Sequence, residues 1–430
     1  MSKTNTLLRQ LRAGVYDDTL RFLYALDGTE RSVTRGRDRA IGVAELFEQT
    51  FASSENAALF SAPGRTEIGG NHTDHQHGCV LCGSVDVDML ACAAPNGTDR
   101  VRIVSEGFPP LELSLSHLLP CEEERGTSTA LVRGMAAGMQ ELGCKIAGFD
   151  ACVCSSVLSG SGLSSSAAYE VLIGNIINYF GGGGLDAVAI AKVGQYAENV
   201  YFGKPCGLMD QMASSVGGIV AIDFADPSAP AVEKVNFDFS SCGHALCIID
   251  TVSDHADLTD DYAAITREMG AVAAYFGKPV LREVAEADFR AAISPLRAQC
   301  GDRAVLRAMH FFDENHRAEA EAAALKQGDF TAFLELVKAS GHSSATMLQN
   351  IWSVEEPRKQ AVSLALALGA QLLEGRGAIR VHGGGFAGTV QAFVPEDLLP
   401  RFRTGMEEML GAGTCHVMHI RPTGGCVLIP

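Results

Sequence analysis

Apolar residues recur at three- and four-residue intervals at several places along the chain, and those intervals predict helices. Leu46, Phe47 and Phe51 share one face of Val43–Phe51, closing a helical lead-in over residues 1–57. Ala168, Val171, Leu172, Ile176 and Tyr179 mark a second helix, and a third starts near Asp186 and ends at Glu198. Further on, helices are expected over Asp260–Phe276, Arg303–Gln327, Phe330–Ser340 and Glu355–Leu368. Short apolar runs bounded by turn residues predict strands at Phe149–Cys154, Ala245–Asp250, Ala378–Val381, Thr389–Val394 and, as the final strand, Cys415–Ile420. Gly181–Gly184 reads as a helix C-cap and loop, and Pro227–Pro230 as a turn. Mixed strands and helices up to about Asp226, followed by a helix-rich half, suggest two lobes without internal repeats.

Composition narrows the class. A chain of 430 residues, 47% of them apolar, can build two or three domains with sizeable cores. No apolar run approaches the roughly eighteen residues needed to cross a bilayer, and Met1–Arg9 lacks a signal peptide's apolar core. A formal net charge of −17 argues against nucleic acid or an anionic membrane as partner, since both need a basic surface. Glu122–Glu124 and Glu283–Asp288 read as solvated acidic patches. Thirteen scattered cysteines read as reduced thiols, so a cytoplasmic location is expected. Cys79 and Cys82 lie in an apolar run with no second pair at ligand spacing, and read as core.

Four segments carry candidate chemistry. Behind a Pro-Gly turn, Arg65, Asn71, His72 and Asp74 fall within ten residues, a fan of donors and acceptors suited to a polyhydroxylated ligand. A solvated polar turn would read the same way. Ser159–Ala168 is glycine- and serine-rich between a strand and a helix, where free N–H groups and the helix dipole favour phosphate. It is not a Walker loop, because Gly203-Lys204 and Gly277-Lys278 are each followed by proline, and Ser165 spoils a dinucleotide fingerprint. Glu198 and Asp210 could divide metal binding and proton handling between them. His382–Gly388 holds four glycines between two strands, which suggests close backbone approach. His310, His316 and His342 lie on helical patterns and read as capping or surface residues. His72, His75 and His77 alternate as a strand or turn would, with no metal implied.

Taken together, the segments resemble the galactokinase family, within the superfamily of galactokinase, homoserine, mevalonate and phosphomevalonate kinases. Ala62–Arg65 through His72–Asp74 is similar to the sugar signature, Gly160–Ser166 to the phosphate loop, Cys206–Gln211 to the catalytic-base motif and Gly383–Gly388 to the third motif. They occur in family order. The resemblance implies an α+β fold of two lobes, mixed sheets packed with helices, with the active site in the cleft between them. Residues 1–57 would be the helical lead-in of the N-terminal lobe, 58–235 the rest of that lobe and 236–430 the C-terminal lobe.

Roles follow from the same resemblance. Arg65 would stabilise the transferring phosphoryl group, and Asp210 would accept or polarise the sugar hydroxyl proton. Ser166 and Glu198 would hold Mg2+, while Gly160, Ser161, Gly162, Leu163, Ser164, Ser165 and Ser166 cradle ATP. Asn71, His72, Thr73, Asp74, Gly207 and Tyr262 would line the sugar pocket. The implied activity is ATP-dependent phosphorylation of galactose at its anomeric hydroxyl, by a monomer whose partners are the sugar and ATP. N-acetylgalactosamine or arabinose, or a sensor without turnover, are the alternatives. The chain departs from the signature at several positions. Asn71 stands where glutamate is usual, and Val-Asn-Leu-Ile after the arginine is replaced by Thr66–Gly69. His75 replaces a tyrosine and His382 a threonine. These departures bear on the sugar more than on the chemistry.

Overall fold

The computed structural model describes residues 3–51, 56–157, 162–253 and 258–430. Seven strands in the first part are β1 (Ala58–Gly69), β2 (Cys79–Pro95), β3 (Arg100–Ser105), β4 (Leu111–Ser114), β5 (Phe149–Ser155), β6 (Ile219–Asp223) and β7 (Ala231–Val235). Five more follow: β8 (His244–Asp250), β9 (Ala378–His382), β10 (Thr389–Pro395), β11 (Cys415–Met418) and β12 (Cys426–Ile429). The first sheet runs β12-β1-β2-β5-β3-β4, with β6 and β7 attached beside β2. It forks because β2 is 17 residues long. Its first part, Cys79–Gly83, pairs with β6, and its last, Met89–Pro95, with β5. Only β3 and β5 run parallel among the neighbours of this sheet. The second sheet, β11-β8-β10-β9, is antiparallel throughout.

Period-two alternation explains why β1 is buried along its whole length. Leu59 faces the cluster formed with Leu11, Leu20, Val33 and Phe47 of the N-terminal helices Lys3–Arg12, Asp17–Tyr24 and Glu30–Phe51. Phe60 faces the other way, against Val132, Met135, Leu172 and Ile176 of helices Ser128–Glu141 and Ser165–Phe180. Each such side chain contributes about 1.5–3 kcal/mol on burial. A third cluster joins Ile68, Leu81, Leu163 and Ala168 to Phe333, Val337, Phe393 and Met418, so the two sheets share apolar contacts. Among the described residues no helix is long and apolar enough to cross a membrane.

Three elements differ from the pattern-based expectation. The helix expected over Glu355–Leu368 is Ala361–Leu372, beginning beyond Pro357, which disfavours helical backbone in the residue before it. Cys415–Met418 is not the last strand: β12 follows and pairs with β1, Leu59 opposite Ile429 and Ser61 opposite Cys426. The chain thus ends in the first sheet, although residues 236–430 were expected in the C-terminal lobe. Finally, the helix from Ala187 passes after Tyr196 into a π turn, Ala197–Phe202, which carries Glu198.

Candidate active site

Arg65 lies on β1 just after a break in its register with β2. Gly64 permits this approach, since a Cβ there would lie 2.9 Å from the Leu163 carbonyl. The Arg65 N–H donates to that carbonyl at 3.1 Å, and its Nη1 donates to the Gly162 carbonyl. Facing it, Asp210 sits in the first turn of helix Met209–Val216, where the dipole favours a carboxylate. Arg65 grips it through two bonds, Nε to Oδ1 at 2.6 Å and Nη2 to Oδ2 at 2.9 Å. The Ser164 hydroxyl donates to Oδ2 as well, from a residue held at φ 55°. Burial alone would raise the Asp210 pKa, but Arg65 and Ser164 outweigh it and hold it below the usual carboxylate range. Arg65 is nearly buried, while 32% of the Asp210 side chain stays exposed. An ionised acceptor clamped by a fixed cation is the result.

From the first turn of helix Ser165–Phe180, the Ser166 hydroxyl donates to Glu198 Oε1 at 3.2 Å. Gln211 Nε2 bridges Glu198 Oε2 at 2.9 Å and Glu170 Oε2 at 3.0 Å. Glu170 Oε1 and Gln211 Oε1 are buried without a hydrogen-bond partner among the described residues. Burial first, and then the neighbouring Glu198, raise the Glu170 pKa well above the ordinary range. Hard oxygen donors with unspent lone pairs suit a small divalent cation.

The turn Asp74–Gln76 carries Asp74 against Gly207. A Cβ at Gly207 would lie 1.7 Å from Asp74 Oδ2, so only glycine allows this approach. His72, at φ 61°, meets the Gly384 carbonyl through Nε2 at 2.9 Å. Burial, and then His75, lower its pKa to about 3, so the ring is neutral and donates from Nε2. Tyr262 donates to the Gly385 carbonyl at 2.8 Å and packs edge-on against Phe386. Gly384 leaves room for its ring, which a Cβ would approach to 2.4 Å.

The expected residues therefore sort into groups. Asp210 bonds Arg65 and Ser164, Ser166 bonds Glu198, Asp74 meets Gly207, and His72 and Tyr262 meet the Gly384 and Gly385 carbonyls. Gly162 is held at φ 69° beneath Thr389, and Ser165 opens the helix. Leu163 offers only its carbonyl, since its side chain is in the core. Gly160 and Ser161 lie outside the described residues. Asn71 and Thr73 differ from the expectation. Thr73 spends its hydroxyl on the Gly70 and Cys79 carbonyls, at 2.9 and 2.6 Å. Asn71 is fully buried and every position of its amide is occupied inside the protein. Neither presents a polar atom to a ligand, because the turn itself needs them.

Sequence reading missed Glu170 and Gln211, although both had a signal. Glu170 follows Ser166 by four positions on one helix, and Gln211 adjoins Asp210. It also missed the buried Arg380 and Glu314, and it read His310 as a capping or surface residue, whereas His310 is fully buried and bonds the Asn71 carbonyl.

The galactokinase galactose-binding signature matches residues 45–95, and the N-terminal domain of GHMP kinases matches residues 130–218. Galactokinase from Lactococcus lactis, solved with galactose, is 25% identical with a TM-score of 0.75, over 89% of this chain and 98% of that one. Mevalonate kinase from Methanococcus jannaschii is 14% identical, with a TM-score of 0.59 over 84% and 98% of the two chains. Phosphomevalonate kinase from Streptococcus pneumoniae is 12% identical, with a TM-score of 0.58 over 84% and 98%. The last two show the shared fold. Residues 130–218 thus match the N-terminal domain of the GHMP kinases, and the chain shares the fold of a solved galactokinase. With the galactose-binding signature over residues 45–95, the chain is similar to galactokinases in both a sequence signature and the fold.

Proposed function

We propose that the protein phosphorylates galactose at the anomeric hydroxyl, giving galactose 1-phosphate and ADP by direct transfer from ATP. The observation that carries this is the doubly bonded Arg65–Asp210 pair, joined to the phosphate loop through Gly162 and Ser164 and still partly exposed. The galactose signature over residues 45–95 supports the choice of sugar.

In this reading the hydroxyl oxygen attacks the γ-phosphorus in line, the bond from phosphorus to the β-bridging oxygen breaks, and the proton passes to Asp210. A depressed pKa makes Asp210 a weak base. That suffices, because a loose phosphoryl-transfer transition state needs little deprotonation until the new bond forms. Arg65, already fixed by Asp210 and Gly162, offers its charge without reorganising. His72, Asp74 and Tyr262 flank the sugar. Ser166 and Glu198 would hold Mg2+, with Glu170 and Gln211 behind them. The cation would neutralise charge on the β- and γ-phosphates.

The test is ADP release with galactose, N-acetylgalactosamine, arabinose and glucose, with and without Mg2+. Galactose is expected to give the highest kcat/KM, and only with Mg2+. Sugar binding without ADP release would instead mark a sensor, and a better second sugar would reassign the substrate.

A further inference from the structure

Two departures from the sugar signature touch each other. The signature has asparagine where this chain has Glu67, and glutamate where it has Asn71. Here the Asn71 amide donates to Glu67 Oε1 at 3.0 Å, with both residues buried. We propose that acid and amide have exchanged places in this chain, and that Glu67 and Asn71 act as one positioning pair. They hold the backbone of the sugar loop so that His72 and Asp74 face the substrate. The proposal rests on the sugar-kinase reading above.

The surroundings fix which partner must be the amide. Asn71 Nδ2 faces two acceptors, Glu67 and the Gly383 carbonyl at 2.7 Å. Its Oδ1 faces two donors, Ser344 Oγ at 3.1 Å and Asn350 Nδ2 at 2.9 Å. A carboxylate at position 71 would meet the Gly383 carbonyl with no proton to donate. Position 67, in contrast, is built for an acid: the buried Arg380 donates to Glu67 Oε1, and also to the Ile68 carbonyl at 2.9 Å. The main chain of Asn71 is gripped too. His310 Nε2 meets its carbonyl at 2.9 Å, and Glu314 Oε1 accepts from the Gly70 and Asn71 N–H groups at 3.2 and 3.4 Å. The very next residue is His72, at φ 61°. A shift of the Asn71 anchor therefore moves His72 and, two residues later, Asp74, but not Arg65 or Asp210.

The experiment is a double-mutant cycle with isosteric changes, Glu67→Gln, Asn71→Asp and the two combined, scored by sugar KM, kcat and ATP KM. Asn71→Asp is expected to raise sugar KM tenfold or more, with kcat and ATP KM within about threefold of the parent. Glu67→Gln should act in the same direction. The double variant should be impaired by less than the product of the two single effects, because the part of each loss that arises between the two residues is relieved, while the Gly383 carbonyl still opposes an acid at position 71. Purely multiplicative effects, or losses in kcat and ATP KM equal to those in sugar KM, would overturn the proposal. Melting temperatures on the same proteins give the coupling independently of activity, so a parent inactive on every sugar refutes the function but still tests the pair. If a single variant does not fold, Ser344→Ala removes one bond from Asn71 without adding charge. It should raise sugar KM several-fold at constant kcat, and an unchanged sugar KM would count against the pair.

Discussion

A guanidinium, a carboxylate and a hydroxyl in mutual contact define the centre of this molecule. Arg65 is bonded to both oxygens of Asp210, so neither side chain has freedom to reorient when a substrate arrives. That arrangement predicts the behaviour of Asp210→Asn. The amide retains the shape and one acceptor but cannot take a proton, so turnover should fall by about 10²–10⁴. Sugar affinity, measured by equilibrium binding, should change little. Turnover within a few-fold of the parent would remove Asp210 from the reaction. Glu67 gives a prediction of a different kind. Burial pushes its carboxyl up to about 7, against the opposing pull of Arg380 and Arg65 and with help from Asp74 and Glu314. The folded state then holds a proton that the unfolded chain releases at about 4.5. Stability from this group is present below that lower value and is lost as pH rises towards 7. Thermal melts across this range should show a falling component that Glu67→Gln lacks. An unchanged profile in the variant would mean that other groups set it.

At the scale of elements, local geometry decides which side chains meet. Continuing the helix Ala187–Tyr196 as a regular α-helix would rotate Glu198 away from its present position, and the π turn at Ala197–Phe202 sets it against Ser166. Glu198→Ala should therefore raise the Mg2+ concentration required for half-maximal activity. Sugar binding without nucleotide should stay at the parent's level. If the variant titrates with Mg2+ like the parent, another acid holds the ion. The edge strand β12 poses the complementary case, an element with no part in chemistry. Ile429 is buried against the N-terminal helices and pairs with Leu59. Ile429→Ala should cost about 2–5 kcal/mol in denaturant unfolding. A loss below about 1 kcal/mol would mean that β12 frays without consequence for the core.

For the whole molecule, the net charge of −17 and the attraction of ATP have to be reconciled. Most of the acidic residues lie outside the core, where salt screens them within about 10 Å at 0.1 M. At the centre the balance is local: Arg65 against Asp210, Arg380 against Glu67, and Lys204 3.8 Å from Glu198. The sugar loop is tied across the molecule as well. Its Thr66 and Glu67 bond to His382 and Gln391, and its Asn71 to Ser344, Asn350 and Gly383. Breaking a buried polar partner in that seam leaves others unsatisfied, each costing about 1–3 kcal/mol. The seam therefore couples the loop that faces the sugar to the helices and hairpin beyond it.

Most helix positions and the four motifs were legible in the chain, because each depends on neighbours within a few residues. The spacing of Val171, Leu172 and Ile176 needs nothing but the helical period, and Gly64 and Gly162 announce close backbone approach wherever they fold. Arg65, Asp210, Ser166 and Glu198 could be named for the same reason: each sits in a short motif of its own. What the chain could not disclose were contacts between residues far apart in sequence. Whether Asn71 faced a sugar or the interior depended on Gly383, more than 300 residues away, and on Ser344 and Asn350, which carry no local signal. The acid at Glu67 looked out of place until Arg380 stood beside it. The strand at Cys426–Ile429 was too short to recognise without β1 to pair with. Local pattern determines which elements form and which side chains they carry. Only the packed structure decides which buried polar groups face one another, because a hydrogen bond or an ion pair depends on distance in space.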